Sequence, residues 1–341
     1  MLGLADFEPD ALARLEEVEQ RWSAALGGRP VLVVESVAQA RAALLAIAKL
    51  SPGEPVALPA NASRPLVEAI KQAGARPYFV NLDADLTLHV ASPAVGLTWG
   101  QSVAGMGPRV NFDGGPVWLD CAETLPGPDG PDAEVALYGL QLAADERSAG
   151  ALLVFQKAEL AERVAAQLNR RTLAVARALA QYRRWERLVV RQQMALNQVR
   201  AGLEAAAGLP LLAVTPGGLA HGVAVRIPEE IDVATFYSYV KAENTPVCWL
   251  PAVRPLHYAA AATGQTTAAH LARYLLVPVG PNYSEEEIAQ AILGIVKAAD
   301  YLGVRWYTDP AWAAEYARLM IEWYGPAHDA YRPIFEVADA N

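Results

Sequence analysis

Between residues 29 and 82 the chain alternates short apolar runs with helical patterns, and this alternation restricts the fold more than any other feature. Arg29–Glu35 (RPVLVVE) reads as a buried strand. Val37–Leu50 reads as a helix that Ser36 can cap and that Pro52-Gly53 ends. Val56–Pro59 is a second strand, Arg64–Ala73 a second helix and Pro77–Leu82 a third strand. Strands separated by helices of this length need crossover connections, which implies a parallel sheet with helices on its faces. Ahead of them, Leu12, Leu15, Val18 and Trp22 recur at helical spacing, and Gly27-Gly28 ends that pattern.

Further along, Val117–Val154 supplies three more apolar runs, VWLDCAETLPG, EVALYGL and ALLVF, the first of them ending in Asp120. From Glu159 to about Leu209 the pattern is helical. Leu211–Val214, Gly222–Ile227 and Val247–Leu250 then read as strands, with Ile231–Ala242 a helix between the last two. Leu275–Gly280 is another strand, and Ser284 with Glu287 forms a capping box for the helix Ile288–Tyr301. The tail is rich in aromatics from Trp306 to Phe335, suited either to packing on its own domain or to an oligomer contact.

A net charge of −9 argues against nucleic acid as a partner, since phosphate binding needs a basic face. Arg183, Arg184, Arg187 and Arg191 cluster on one predicted helix, which reads as a solvated or interface face. No apolar run approaches the length of a membrane span, and the acidic N-terminus lacks a secretory pattern, so the expectation is a cytoplasmic protein. Cys121 and Cys248 sit in apolar surroundings as buried thiols. The five histidines lack metal-ligand spacing, and no metal is expected. Gly105-Met106-Gly107 lacks the third glycine and following helix of a dinucleotide loop, and reads as a turn.

Residues 52–88, PGEPVALPANASRPLVEAIKQAGARPYFVNLDADLTL, resemble the second and third strands of the DegT/DnrJ/EryC1/StrS sugar aminotransferases. These are fold-type I enzymes that use pyridoxal phosphate. The turn Ala73-Gly74-Ala75-Arg76-Pro77 is similar to that family's, WGQSVAGM at Trp99–Met106 resembles its YGQ-type strand end, and the closing strand and helix follow its pattern. The likeness covers roughly residues 8–305. It implies an α/β fold of the fold-type I aminotransferase kind, with a mostly parallel sheet flanked by helices and a smaller α+β C-terminal domain. The implied domains are 1–200 for the large one, 201–305 for the small one and 306–341 for the aromatic extension. It also implies a homodimer, or a heteromer with an active relative.

The resemblance assigns Asp120 to the pyridine nitrogen of the coenzyme, where a carboxylate at a strand's carboxyl end meets ligands in open α/β sheets. An Asp capping a helix is the other reading of that residue. Glu123 stands where the family has Gln or a similar polar group. The remaining parts depart from the family's pattern. Its phosphate-binding Gly-Thr falls on Val37-Ala38, and its ring-stacking aromatic falls near Ser63. Ser36 or Arg64 could substitute as phosphate ligands, Arg64 better because its fork matches phosphate oxygens. The lysine that binds the coenzyme covalently falls near Gln141, and no lysine occurs between Lys71 and Lys157. Lys157 lies beyond the last of the three apolar runs, away from that place. The segment carrying an Asn-Tyr-Arg pattern is missing, for Leu168-Asn169-Arg170 runs directly into the long helix. His257, in VRPLHY, resembles the family's substrate-side loop. These departures predict a catalytically degenerate protein with a structural, regulatory or interaction role and no coenzyme. The alternative is an enzyme of that family that binds pyridoxal phosphate or a nucleotide sugar through Asp120, Glu123 and Arg64.

Overall fold

A computed structural model describes residues 8–91, 95–103, 106–112, 114–127, 132–140, 150–168, 172–207, 209, 211–212, 218–253, 264–280 and 283–302. The chain opens with helix α1 (Glu8–Ala25), strand β1 (Val31–Val34) and helix α2 (Val37–Ala48). Strand β2 (Pro55–Pro59), helix α3 (Arg64–Gln72) and strand β3 (Arg76–Val80) follow. Then come β4 (Thr87–His89), β5 (Leu97–Gln101), β6 (Arg109–Asn111), β7 (Val117–Cys121), β8 (Leu125–Pro126), β9 (Val135–Gly139) and β10 (Ala151–Phe155). Helices α4 (Ala158–Ala165) and α5 (Thr172–Ala207) lead into β11 (Gly218–Leu219), β12 (Gly222–Arg226), α6 (Val233–Ala242) and β13 (Cys248–Trp249). The last elements are α7 (Leu250–Val253), α8 (Gln265–Ala272), β14 (Tyr274–Pro278) and α9 (Glu285–Tyr301).

Seven strands form the main sheet in the order β1-β10-β9-β7-β5-β2-β3. The pairs from β9 to β3 are all parallel, as the strand–helix alternation requires, while β10 runs antiparallel to both β1 and β9. One face packs against α2, α3 and α4 through residues such as Leu44, Leu66, Trp99, Trp118 and Phe155. The other face packs against α1 and α5, where Trp22 meets Tyr182 and Trp185 edge to face. A third core joins the end of α5 to α6, α9 and the small sheet β12-β14-β13.

Local chemistry explains the ends of these elements. The Ser36 hydroxyl accepts from Gln39 N at 3.1 Å and caps α2, as expected. Ser284 and Glu287 exchange bonds at the start of α9 in the expected capping box. Gly74, at φ +81°, makes the turn into β3 that a residue with a Cβ would adopt only under strain. Two expectations need correction. The helical stretch from Glu159 divides into α4 and a separate 36-residue α5. The strand expected over Val247–Leu250 shrinks to Cys248–Trp249, because Leu250 begins α7 and Pro251, which cannot donate to a ladder, sits in that helix's first turn. Of Leu211–Val214, Leu211 makes an isolated bridge to Val225, and residues 213–214 lie outside the described residues. Gln141, His257 and the tail from 303 also lie outside them.

The smaller sheet is fastened to the larger one through the segment that follows β3. Thr267 Oγ1 accepts from Leu82 N and donates to Asn81 Oδ1, both at 2.9 Å. Tyr274 Oη donates to the Ala84 carbonyl at 2.5 Å. At the sheet's outer edge, Glu19 Oε1 accepts from Val33 N at 2.8 Å.

Candidate functional site

Register places Gln101 of β5 beside Asp120 of β7, with Trp99 beside Trp118 one pleat below. Because side chains alternate along a strand, Trp99, Gln101, Trp118 and Asp120 share the face that carries α2 and α3. Asp120 is fully buried there. Ionised and without a partner, such a carboxylate would cost several kcal/mol. Its partner is Arg41, in the second turn of α2. Nε and Nη2 of Arg41 both donate to Asp120 Oδ2, at 2.9 and 2.6 Å. Arg41 is itself only 8% exposed. Asp120 Oδ1 accepts from Ala122 N at 3.2 Å as the chain turns toward β8. No helix starts after Asp120, so the helix-capping reading of this residue is set aside.

Gln101 completes the cluster. Its Nε2 donates to Ser63 Oγ at 2.8 Å and, more weakly, to Asp120 Oδ2 at 3.4 Å, while Ser63 N donates to Gln101 Oε1 at 2.5 Å. Ser63 thus serves as the partner of Gln101 at the start of α3, and no side-chain cap bond forms from it. Of the other sequence candidates, the Ser36 oxygen is occupied in capping α2 and Arg64 is exposed at the start of α3. Lys157 is exposed ahead of α4. Glu123 lies in the turn between β7 and β8, where its charge acts on His221. Burial pushes the His221 imidazole down, against the upward pull of Glu123. Burial, and secondarily the charge of Asp120, push the Cys121 thiol far up, so it stays protonated.

Pattern reading missed Arg41 and the bond between Gln101 and Asp120. Arg41 is the only charged residue in VAQARAALLAIA, and one cation on an otherwise apolar helix calls for a buried anion. At the carboxyl ends of β2 and β5, the cavity lined by Pro59, Leu82, Leu88, Gln101 and Met106 measures about 10 Å³, room for about one water. A larger groove, of about 350 Å³, lies between α1, β1 and α4 and involves none of the Asp120 cluster. Among the described residues no group of three His, Cys, Asp or Glu could hold a metal, and no helix is long and apolar enough to cross a membrane.

No family model matches the chain, and no curated protein matches it. Solved structures do. The aminotransferase TlmJ from Streptoalloteichus hindustanus superposes with a TM-score of 0.66 at 18% identity, covering 89% of this chain and 98% of that one. A DegT DnrJ EryC1 StrS aminotransferase from Brucella abortus gives 0.64 at 15% identity, over 86% and 96%. The GDP-4-keto-6-deoxy-D-mannose-3-dehydratase of E. coli, with bound hydrated PLP, gives 0.66 at 11% identity, over 83% and 91%. The chain has the sugar aminotransferase fold. Both Arg41 donors fall on Asp120 Oδ2, so the buried carboxylate already holds a cation supplied by this chain. Val37, β-branched and buried, opens α2 next to its Ser36 cap.

Proposed function

We propose that this chain is a non-catalytic protein built on the sugar aminotransferase scaffold, with a structural or interaction role. The observation that carries this reading is the commitment of Asp120, the site's buried carboxylate, to Arg41 of the same chain. The sequence supports it independently, since Gln141 stands near the place of the covalent lysine and no lysine occurs between Lys71 and Lys157. An interaction role is supported by α5. Arg183, Arg187 and Arg191 lie along one exposed flank of it with Val190 and Met194, each 58% exposed, and these arginines have no ion-pair partner among the described residues. A partner with an acidic face, whether a second copy or an active relative, suits such a stripe.

The test is direct. Purified protein is incubated with pyridoxal phosphate, desalted, and examined for visible absorbance and for an adduct fixed by borohydride. No retained absorbance and no adduct are expected, and tight retention would overturn the proposal. One observation favours a second reading, an enzyme that keeps a ligand at this edge of the sheet. Both amide atoms of Asn61, just beyond β2, are buried without a hydrogen-bond partner, as a site awaiting a polar ligand would leave them. Retained pyridoxal phosphate, or a nucleotide sugar that raises Tm, would establish that reading instead.

A further inference from the structure

We infer that Arg41 is a counterion built into the chain, occupying the place at Asp120 that a cationic coenzyme would otherwise fill, so that the fold is complete without a ligand. This rests on the non-catalytic reading and explains how such a scaffold could neutralise its buried carboxylate without a ligand. A buried carboxylate must be neutralised or protonated. In a ligand-dependent site the cation arrives from solution, and the empty site is left with an uncompensated charge. Here α2 supplies it. The buried face of the helix carries Arg41 to the carboxyl end of β7, where it meets Asp120. Two donors on one oxygen fix the guanidinium to Oδ2, and Ala122 N holds Oδ1. Gln101 cannot take over, because its amide, which already donates a weak bond to Asp120 Oδ2 at 3.4 Å, carries no charge.

A bond supplied by the chain has a consequence that mere packing would lack. Removing Arg41 leaves a vacated cation site whose occupancy depends on Asp120 being charged. In Arg41→Ala at pH 7, the folding equilibrium constant should fall by about 10²- to 10⁴-fold, the usual cost of breaking a buried pair from one side. Two readouts then separate a missing cation from a missing side chain. Low-millimolar ethylguanidinium should raise the Tm of Arg41→Ala above an equal concentration of potassium chloride. Lowering the pH from 7 to 5 should also stabilise the variant relative to the wild type, since a proton taken up by the carboxylate removes its uncompensated buried charge.

The double variant Arg41→Ala/Asp120→Asn should regain much of the lost stability and lose both responses. Arg41→Gln serves in the same comparison if the alanine variant does not fold. Additive effects of the two substitutions, or an Arg41→Ala protein blind to both ethylguanidinium and pH, would overturn the inference. Failure of the non-catalytic reading looks different, because there the wild-type chain itself retains pyridoxal phosphate.

Discussion

Thr267→Val removes one hydroxyl from the fastening between the two sheets and leaves the side-chain volume almost unchanged. In the wild type that hydroxyl accepts from the buried Leu82 N–H and donates to Asn81 Oδ1, while Thr267 N donates to the same oxygen at 3.2 Å. Valine leaves the Leu82 N–H with no acceptor, which costs about 1–3 kcal/mol, and Asn81 loses one of its two donors, worth roughly another 1 kcal/mol. The total is about 2–4 kcal/mol, or for a chain of 341 residues a fall of roughly 3–6 °C in Tm. Denaturant unfolding followed by circular dichroism would measure it, with Thr267→Ser as the control. Serine keeps both bonds and gives up a methyl group, so it should cost about 1 kcal/mol. If valine proved as stable as the wild type within about 0.5 kcal/mol, or serine cost as much as valine, hydrogen bonding would not be what fastens α8 to the end of β3.

Two further outcomes follow from the electrostatics. Cys121, held protonated by burial and by the neighbouring charge of Asp120, should resist thiol reagents in native protein at pH 8 and react on unfolding, whereas the half-buried Cys248 should react first; counting reactive thiols per chain by mass checks this. For Asp83, partial burial pulls its pKa upward, but bonds from Thr87 N, His89 and Asp85 N outweigh it and hold the carboxyl below 3.8. That stability is present above the unfolded value and is lost as pH falls through the lower folded one. Asp83→Asn should therefore flatten the acid limb of a Tm–pH profile below about pH 4.

The parallel half of the sheet was legible because a strand–helix–strand rhythm admits few other connections, and its strands fall within a residue or two of the apolar runs. The reversal of β10 was not legible, since ALLVF carries the same hydrophobic signal in either direction. The same limit hid the heart of the site. Periodicity treats an arginine on a helix as a solvent-facing residue, so Arg41 disappeared into the pattern of α2. What brings it to Asp120 is a contact across 79 positions of sequence. Asp120 itself was readable as a strand-end carboxylate, and Gln101 stood in the quoted strand end, but their pairing depends on the β5–β7 register, which apolar spacing does not specify.

Glu19 has a consequence for assembly. By accepting from Val33 on the side of β1 that faces no strand, its carboxylate occupies a main-chain donor that an incoming strand would have to use. A strand added along β1 would first have to displace that carboxylate, which makes this edge a poor seam between copies of the protein.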